Sequence, residues 1–228
     1  QVLRGGLEVL HHIDLTVAAG SITGLLGPSG SGKTTLMRCI VGAQVVAAGS
    51  VTIAGLTAGS RDLRARVGYV TQAPSIYPDL TVRENIAYFA ALLRTPRSII
   101  DSVIDDVGLT DIADRTVATL SGGQQSRASL GAALVGRPEV LILDEPTVGL
   151  DPVLRGELWE MFRRMADAGV TLVVSSHVMD EARRCDDLVF MRDGHVLAHD
   201  TLEGMKAHTG TTDAESAFLA LASEVGDA

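Results

Sequence analysis

Eight consecutive residues, Gly27-Pro28-Ser29-Gly30-Ser31-Gly32-Lys33-Thr34, constrain this chain more than any other stretch. An apolar strand-like run, Ser21–Leu26, leads into them, and a helix-compatible segment, Thr35–Ile40, follows. Glycines at this spacing let the backbone curl until successive N–H groups point at one anion, and the N-terminus of the following helix adds its positive dipole end. Lys33 is placed to reach the β- and γ-phosphates of a nucleotide, and the Thr34 hydroxyl is placed to hold Mg²⁺. A glycine-rich turn between strand and helix is common, but the full pattern in this context identifies a nucleoside triphosphate site.

The 228 residues suffice for one large α/β domain, and an apolar content of 46% supplies a core. The net charge of −9 disfavours a nucleic-acid partner held by phosphate neutralisation. The two cysteines, Cys39 and Cys185, are isolated in sequence and form no disulfide framework, which fits a reducing compartment. No apolar run approaches the ~20 residues that span a bilayer.

Strand and helix signals alternate along the chain, so helices are expected to cover a sheet. Val9–Val17, Val51–Ile53 and Val67–Val70 read as strands. Thr81-Val82-Arg83-Glu84 is a capping box that starts a helix running to about Leu93. A second helix is expected over Ser98–Val107, with Gly108 as its stop. Val140–Leu143 and Val170–Ser175 have the continuous apolar character of strands buried on both faces. Between them, Asp151-Pro152 opens a helix with Asp as cap and Pro at the first helical position, and Gly169 ends it. Asp193-Gly194 is a hairpin turn, and an amphipathic helix is expected over 213–223. Residues 76–135 read as mostly helical, unlike their strand-rich flanks, and are taken as an inserted lobe.

The strand Val140–Leu143 ends in Asp144-Glu145. An acid at the end of a buried strand can hold Mg²⁺ through water, the role assigned to Asp144. Glu145 is then the general base that polarises the attacking water. In Leu120-Ser121-Gly122-Gly123-Gln124, Ser121 and Gln124 form another capping box, and the two glycines leave bare N–H groups suited to a γ-phosphate.

This pentapeptide, lying between a phosphate loop and a strand that ends Asp-Glu, resembles the signature of the ABC transporter ATPases, and the resemblance covers nearly the whole chain. It implies an α/β fold: a P-loop NTPase core with a mixed sheet (about 1–75 and 136–210), an N-terminal antiparallel β subdomain and the inserted helical lobe. By the same resemblance, Gln72 is the glutamine that links lobe to core and senses Mg²⁺ and the attacking water. Asp151, in Gly149-Leu150-Asp151, belongs to the loop that crosses a dimer interface, and His177 is the switch histidine at the γ-phosphate. Residues 27–35, Thr35 included, together with Ser121, Gly122, Gly123 and Gln124, form the nucleotide site, with Thr34, Gln72 and Asp144 around Mg²⁺. Two copies are expected to pair head to tail with ATP sandwiched between them.

One departure stands out. The family places an aromatic residue on the adenine where this chain has Arg4, and no aromatic residue precedes Tyr69. A guanidinium face can stack on a base, but a relaxed preference for ATP over GTP is expected. The stretch Pro74–Asn85, with Glu84–Phe89, resembles the part that faces a membrane partner, most closely in the drug, antibiotic and polysaccharide exporter branch. The resemblance therefore implies a peripheral subunit on the cytoplasmic face of a membrane, driving a separate permease. The alternative is a soluble ATPase of the same type acting in translation or DNA repair. Those proteins carry paired domains or a long coiled coil, and neither pattern is visible here.

Overall fold

The computed structural model describes residues 1–4 and 7–226. Its centre is a six-stranded sheet built from β3 (Ile22–Leu26), β6 (Val67–Val70), β7 (Val140–Asp144), β8 (Thr171–Ser176), β9 (Asp187–Arg192) and β10 (His195–Asp200), in the order β10-β9-β3-β8-β7-β6. Every neighbouring pair is parallel except β9 and β10, which form the hairpin turned by Asp193-Gly194. All five residues of β3 and all six of β8 are buried, as continuous apolar runs in a doubly covered sheet require.

Alternate residues of these strands face opposite sides. On one side Ile142, Val173 and Val189 pack against Leu36, Met37 and Cys39 of α1 (Lys33–Ile40). On the other, Leu141, Leu143 and Leu172 meet Leu158, Trp159 and Phe162 of α5 (Pro152–Asp167). Between β6 and β7 the chain forms α2 (Val82–Leu93), α3 (Ile99–Asp106) and α4 (Gly122–Leu134), whose apolar faces continue this second core. Both capping boxes form as expected, at Thr81–Glu84 and at Ser121–Gln124.

The remaining strands make two separate antiparallel pairs, β1 (Val2–Arg4) with β2 (Leu7–Leu10) and β4 (Thr52–Ile53) with β5 (Leu56–Thr57). The strand expected over Val9–Val17 is shorter, because pairing stops at Leu10. The His11 N–H donates instead to the Gly194 carbonyl at 2.9 Å, and His12 takes a positive φ of 44° that a strand cannot contain. The C-terminal helix is present as α7 (Ala214–Gly226), preceded by α6 (Leu202–Thr209), which the sequence did not announce. Ala217, Phe218 and Leu221 of α7 pack on Leu188 and Phe190 of β9.

Candidate functional site

In a parallel sheet all strands deliver their carboxyl ends to one edge, and sites form there. Here the register aligns Leu26 with Ser176, Asp144 with Ser175, and Val70 with Leu143. The segments leaving β3, β6, β7 and β8 therefore emerge together. They carry the glycine loop, Gln72, Asp144-Glu145 and His177.

The glycine loop needs its glycines for backbone reasons. Gly27 has φ +156°, and a Cβ there would lie 2.1 Å from the Met191 carbonyl oxygen. Gly30 and Gly32 have φ of +86° and +102°, which side chains rarely tolerate. Gly32 caps α1 without any side-chain acceptor, so the first N–H groups of the helix stay available to an anion. Lys33 is only 4% exposed, and its Nζ donates to the carbonyls of Gly27 (2.7 Å) and Pro28 (2.9 Å). Burial lowers the pKa of this ammonium, while the Glu145 and Asp144 carboxylates oppose the shift.

Asp144 is 3% exposed and its Oδ1 accepts from Thr34 Oγ1 at 3.1 Å and Ser175 Oγ at 2.8 Å. Ser175 in turn accepts from the backbone N–H of Glu145 at 2.8 Å. Glu145 adopts φ +49°, an uncommon conformation for a residue with a side chain. Its Oε2 accepts from Gln72 Nε2 at 3.1 Å and lies 3.4 Å from His177 Nδ1. Thr34, Gln72, Asp144, Glu145 and His177 thus form one connected cluster beside the loop. A threonine hydroxyl next to a single carboxylate suits Mg²⁺, a hard cation that keeps waters and takes its remaining ligands from substrate phosphates.

Ser175 carries this cluster and was missed as a functional residue. Its signal was present: a hydroxyl in the apolar run Val170–Ser175, fully buried in the fold, has to find a polar partner.

The other expected residues sit elsewhere in the chain. Ser121 Oγ accepts from the Gln124 N–H at 3.3 Å, and Gln124 Oε1 accepts from the Ser121 N–H at 3.0 Å. A Cβ on Gly122 would meet open space, whereas one on Gly123 would press on Leu154 at 2.9 Å. Among the described residues no hydrogen bond joins 121–124 to the glycine loop. Asp151 caps α5 by accepting from Val153 N at 2.9 Å and Leu154 N at 3.1 Å. Arg4 closes β1, but its side chain lies outside the described residues.

After Gln72, Tyr77 and Tyr88 stand about half exposed, with rings edge to face at 5.0 Å and the Tyr77 hydroxyl donating to that of Tyr88 at 3.2 Å. Buried Asn85 fixes this segment by accepting from Tyr77 N (2.7 Å) and donating to the carbonyls of Tyr77 and Thr81 (both 3.0 Å).

A family model described as "ABC transporter" matches residues 10–148, more than half of the chain. A Nod factor export ATP-binding protein I from Rhizobium meliloti is 40% identical over 85% of this chain and 60% of its own length. A probable multidrug ABC transporter ATP-binding protein, YbhF of Escherichia coli, is 39% identical over 81% of this chain and 33% of its own. The chain thus spans between a third and about two thirds of the curated relatives it matches. Among solved structures, cbiO1 from Clostridium perfringens, part of the ABC transporter complex cbiONQ, superposes with a TM-score of 0.79 at 28% identity, covering 87% of this chain and 84% of that one. An ATP-binding subunit of an ABC transporter shares the fold with a TM-score of 0.84 at 23% identity, over 97% of this chain and 96% of that one.

Proposed function

The chain belongs to the ABC transporter family of ATPases, and on that premise we propose that it binds and hydrolyses ATP to drive export through a separate membrane permease. The observation that carries this reading is the connected cluster of Thr34, Gln72, Asp144, Glu145 and His177 beside the glycine loop.

In this reading the N–H groups of Ser29, Gly30 and residues 32–35 and the Lys33 ammonium hold the phosphates, with Lys33 leaving the loop carbonyls for the β- and γ-oxygens. Thr34, Asp144 and Gln72 would hold Mg²⁺. Bound there, the ion would neutralise charge on the β- and γ-phosphate oxygens. Glu145 accepts a proton from the attacking water as the water oxygen bonds to the γ-phosphorus and the bond to ADP breaks. Gln72 and His177, both at Oε2 of Glu145, aim that carboxylate; Gln72 senses Mg²⁺ and the attacking water, and His177 senses the γ-phosphate.

Among the described residues of one chain, Ser121, Gly122 and Gly123 make no hydrogen bond to the glycine loop. Head-to-tail pairing would bring the open face at Gly122 of one copy to the phosphates of the other, with the Asp151 loop at the seam. ATP closes this dimer and hydrolysis reopens it. Among the described residues no helix is long and apolar enough to cross a membrane. The transport path is assigned to a permease that docks on the exposed Tyr77–Tyr88 face. Residues 76–135 would move as a lobe, with Gln72 as its link to the catalytic acid. The export direction is supported by the relatives named for Nod factor and multidrug export. The place of action is then the cytoplasmic face of that membrane.

The test uses purified chain and tagged Glu145→Gln protein. The purified chain should hydrolyse MgATP. With MgATP, the tagged variant should retain a polytopic membrane protein from detergent-solubilised native cells. Recovery of ribosomal proteins or DNA-bound factors in its place would overturn the transporter role.

A further inference from the structure

Arg155 and Glu181 have no part in the site described above, yet both bury side-chain atoms that have no hydrogen-bond partner among the described residues. Glu181 lies in the 3-10 segment Met179–Arg184 that follows His177, and it is 3% exposed. Both of its carboxylate oxygens are buried with no hydrogen-bond partner among the described residues. Arg155 Nε, also buried and unbonded, lies 3.8 Å from Glu181 Oε1. The same guanidinium donates from its other side to the Leu150 carbonyl at 3.3 Å. One side chain therefore touches the Gly149–Asp151 loop at one end and the segment behind His177 at the other.

The path continues to the acid. The Glu181 N–H donates to the Val178 carbonyl at 3.1 Å, next to His177, and His177 Nδ1 is 3.4 Å from Glu145 Oε2. A charge-assisted N–H···O bond closes at about 2.8 Å, so a displacement of about 1 Å would convert the Arg155–Glu181 contact from an unbonded pair to a bonded one. A buried carboxylate without donors favours any arrangement that supplies them. A bonded arrangement about 1 Å away would give these two elements a second state, which is what coupling between separate sites requires.

We propose that Arg155 and Glu181 form a strut that transmits the position of the Gly149–Asp151 loop to the His177 segment and through it to Glu145. Both are positioning residues, since neither reaches the reacting atoms. The inference rests on the reading of Glu145 and His177 as hydrolytic residues, and it adds what tells them that the 149–151 loop is seated.

The test uses the whole chain with Glu181→Gln, Arg155→Met and the double variant. Arg155→Met alone strands a buried carboxylate and is expected to fold poorly. The double variant carries no charge at either position and is expected to keep the fold. Glu181→Gln should lower kcat by about tenfold with KM for MgATP little changed, and the double variant should lose no more than the single one. Unaltered kcat, or losses that multiply, would overturn the strut. Amide hydrogen exchange without nucleotide gives a readout independent of turnover. Glu181→Gln should raise exchange in residues 149–151, and a change confined to 179–184 would also overturn it. Should the wild-type chain not hydrolyse ATP, the ATPase reading fails, and the exchange experiment alone decides the strut.

Discussion

The Gln72 side-chain amide donates a 3.1 Å hydrogen bond to Oε2 of Glu145, although 73 positions separate them. The two sit at the ends of neighbouring parallel strands, β6 and β7. Gln72 also begins the segment that leads to the exposed Tyr77–Tyr88 pair. A displacement of that surface therefore has a short route to the acid assigned as base. The same carboxylate oxygen lies 3.4 Å from His177 Nδ1, so two side chains from separate strand ends converge on one acid.

Glu145→Gln keeps the size of the side chain and its contacts but cannot accept a proton. Turnover should fall by about 10²–10⁴-fold, the usual scale for a general base, while MgATP binding persists. Steady-state hydrolysis and equilibrium nucleotide binding measure the two effects separately. Unchanged turnover would remove Glu145 from the base role.

Ser175→Ala removes both the donor to Asp144 and the acceptor for the Glu145 N–H. Leaving such buried groups unpaired costs about 1–3 kcal/mol, to be read from urea denaturation. The Mg²⁺ concentration needed for half-maximal ATP hydrolysis should rise, since Asp144 loses a bond that orients it. A variant equal to wild type in both measurements would show that Thr34 alone suffices.

Ser121 has two assigned tasks that one substitution can separate. Ser121→Ala removes the α4 cap and should cost about 1 kcal/mol of stability. Ser121→Asp retains a good cap but sets a negative charge against the partner's phosphates. In the Glu145→Gln background with MgATP, the Asp variant should remain folded and fail to dimerise on size-exclusion chromatography. A dimer that survives this change would place Ser121 away from the nucleotide.

The family resemblance gives Arg4 the position of an aromatic residue, and the expectation of relaxed base selectivity rests on that. Under matched conditions the chain should hydrolyse GTP at a rate comparable to ATP. Arg4→Tyr should tighten ATP binding by about 1 kcal/mol or more, the scale of aromatic–base stacking. A strong preference for ATP in the unaltered chain would refute the expectation.

Features governed by a few adjacent residues were legible in the sequence. Thr81–Glu84 and Ser121–Gln124 form their capping boxes, Asp151 caps α5 with Pro152 behind it, and Asp193-Gly194 turns the hairpin. The strand drawn to Val17 failed because its end is set by a distant group. The His11 N–H is taken by the Gly194 carbonyl, 183 residues further along the chain, and no local pattern carries that information. The state of the Cys185 thiol is likewise set by the fold, where burial raises its pKa to about 12.

By itself the sequence determined the phosphate loop, the acid pair and the family, because glycine spacing, helix caps and strand ends are short-range chemistry. Only the tertiary structure decided that Gln72, Asp144, Glu145, Ser175 and His177 share one hydrogen-bonded cluster, and that Glu181 is buried 3.8 Å from Arg155. The parallel sheet is the physical cause. It aligns strands remote in sequence and brings their carboxyl ends to one edge, so side chains meet according to strand order and register, which are fixed by packing across the whole core.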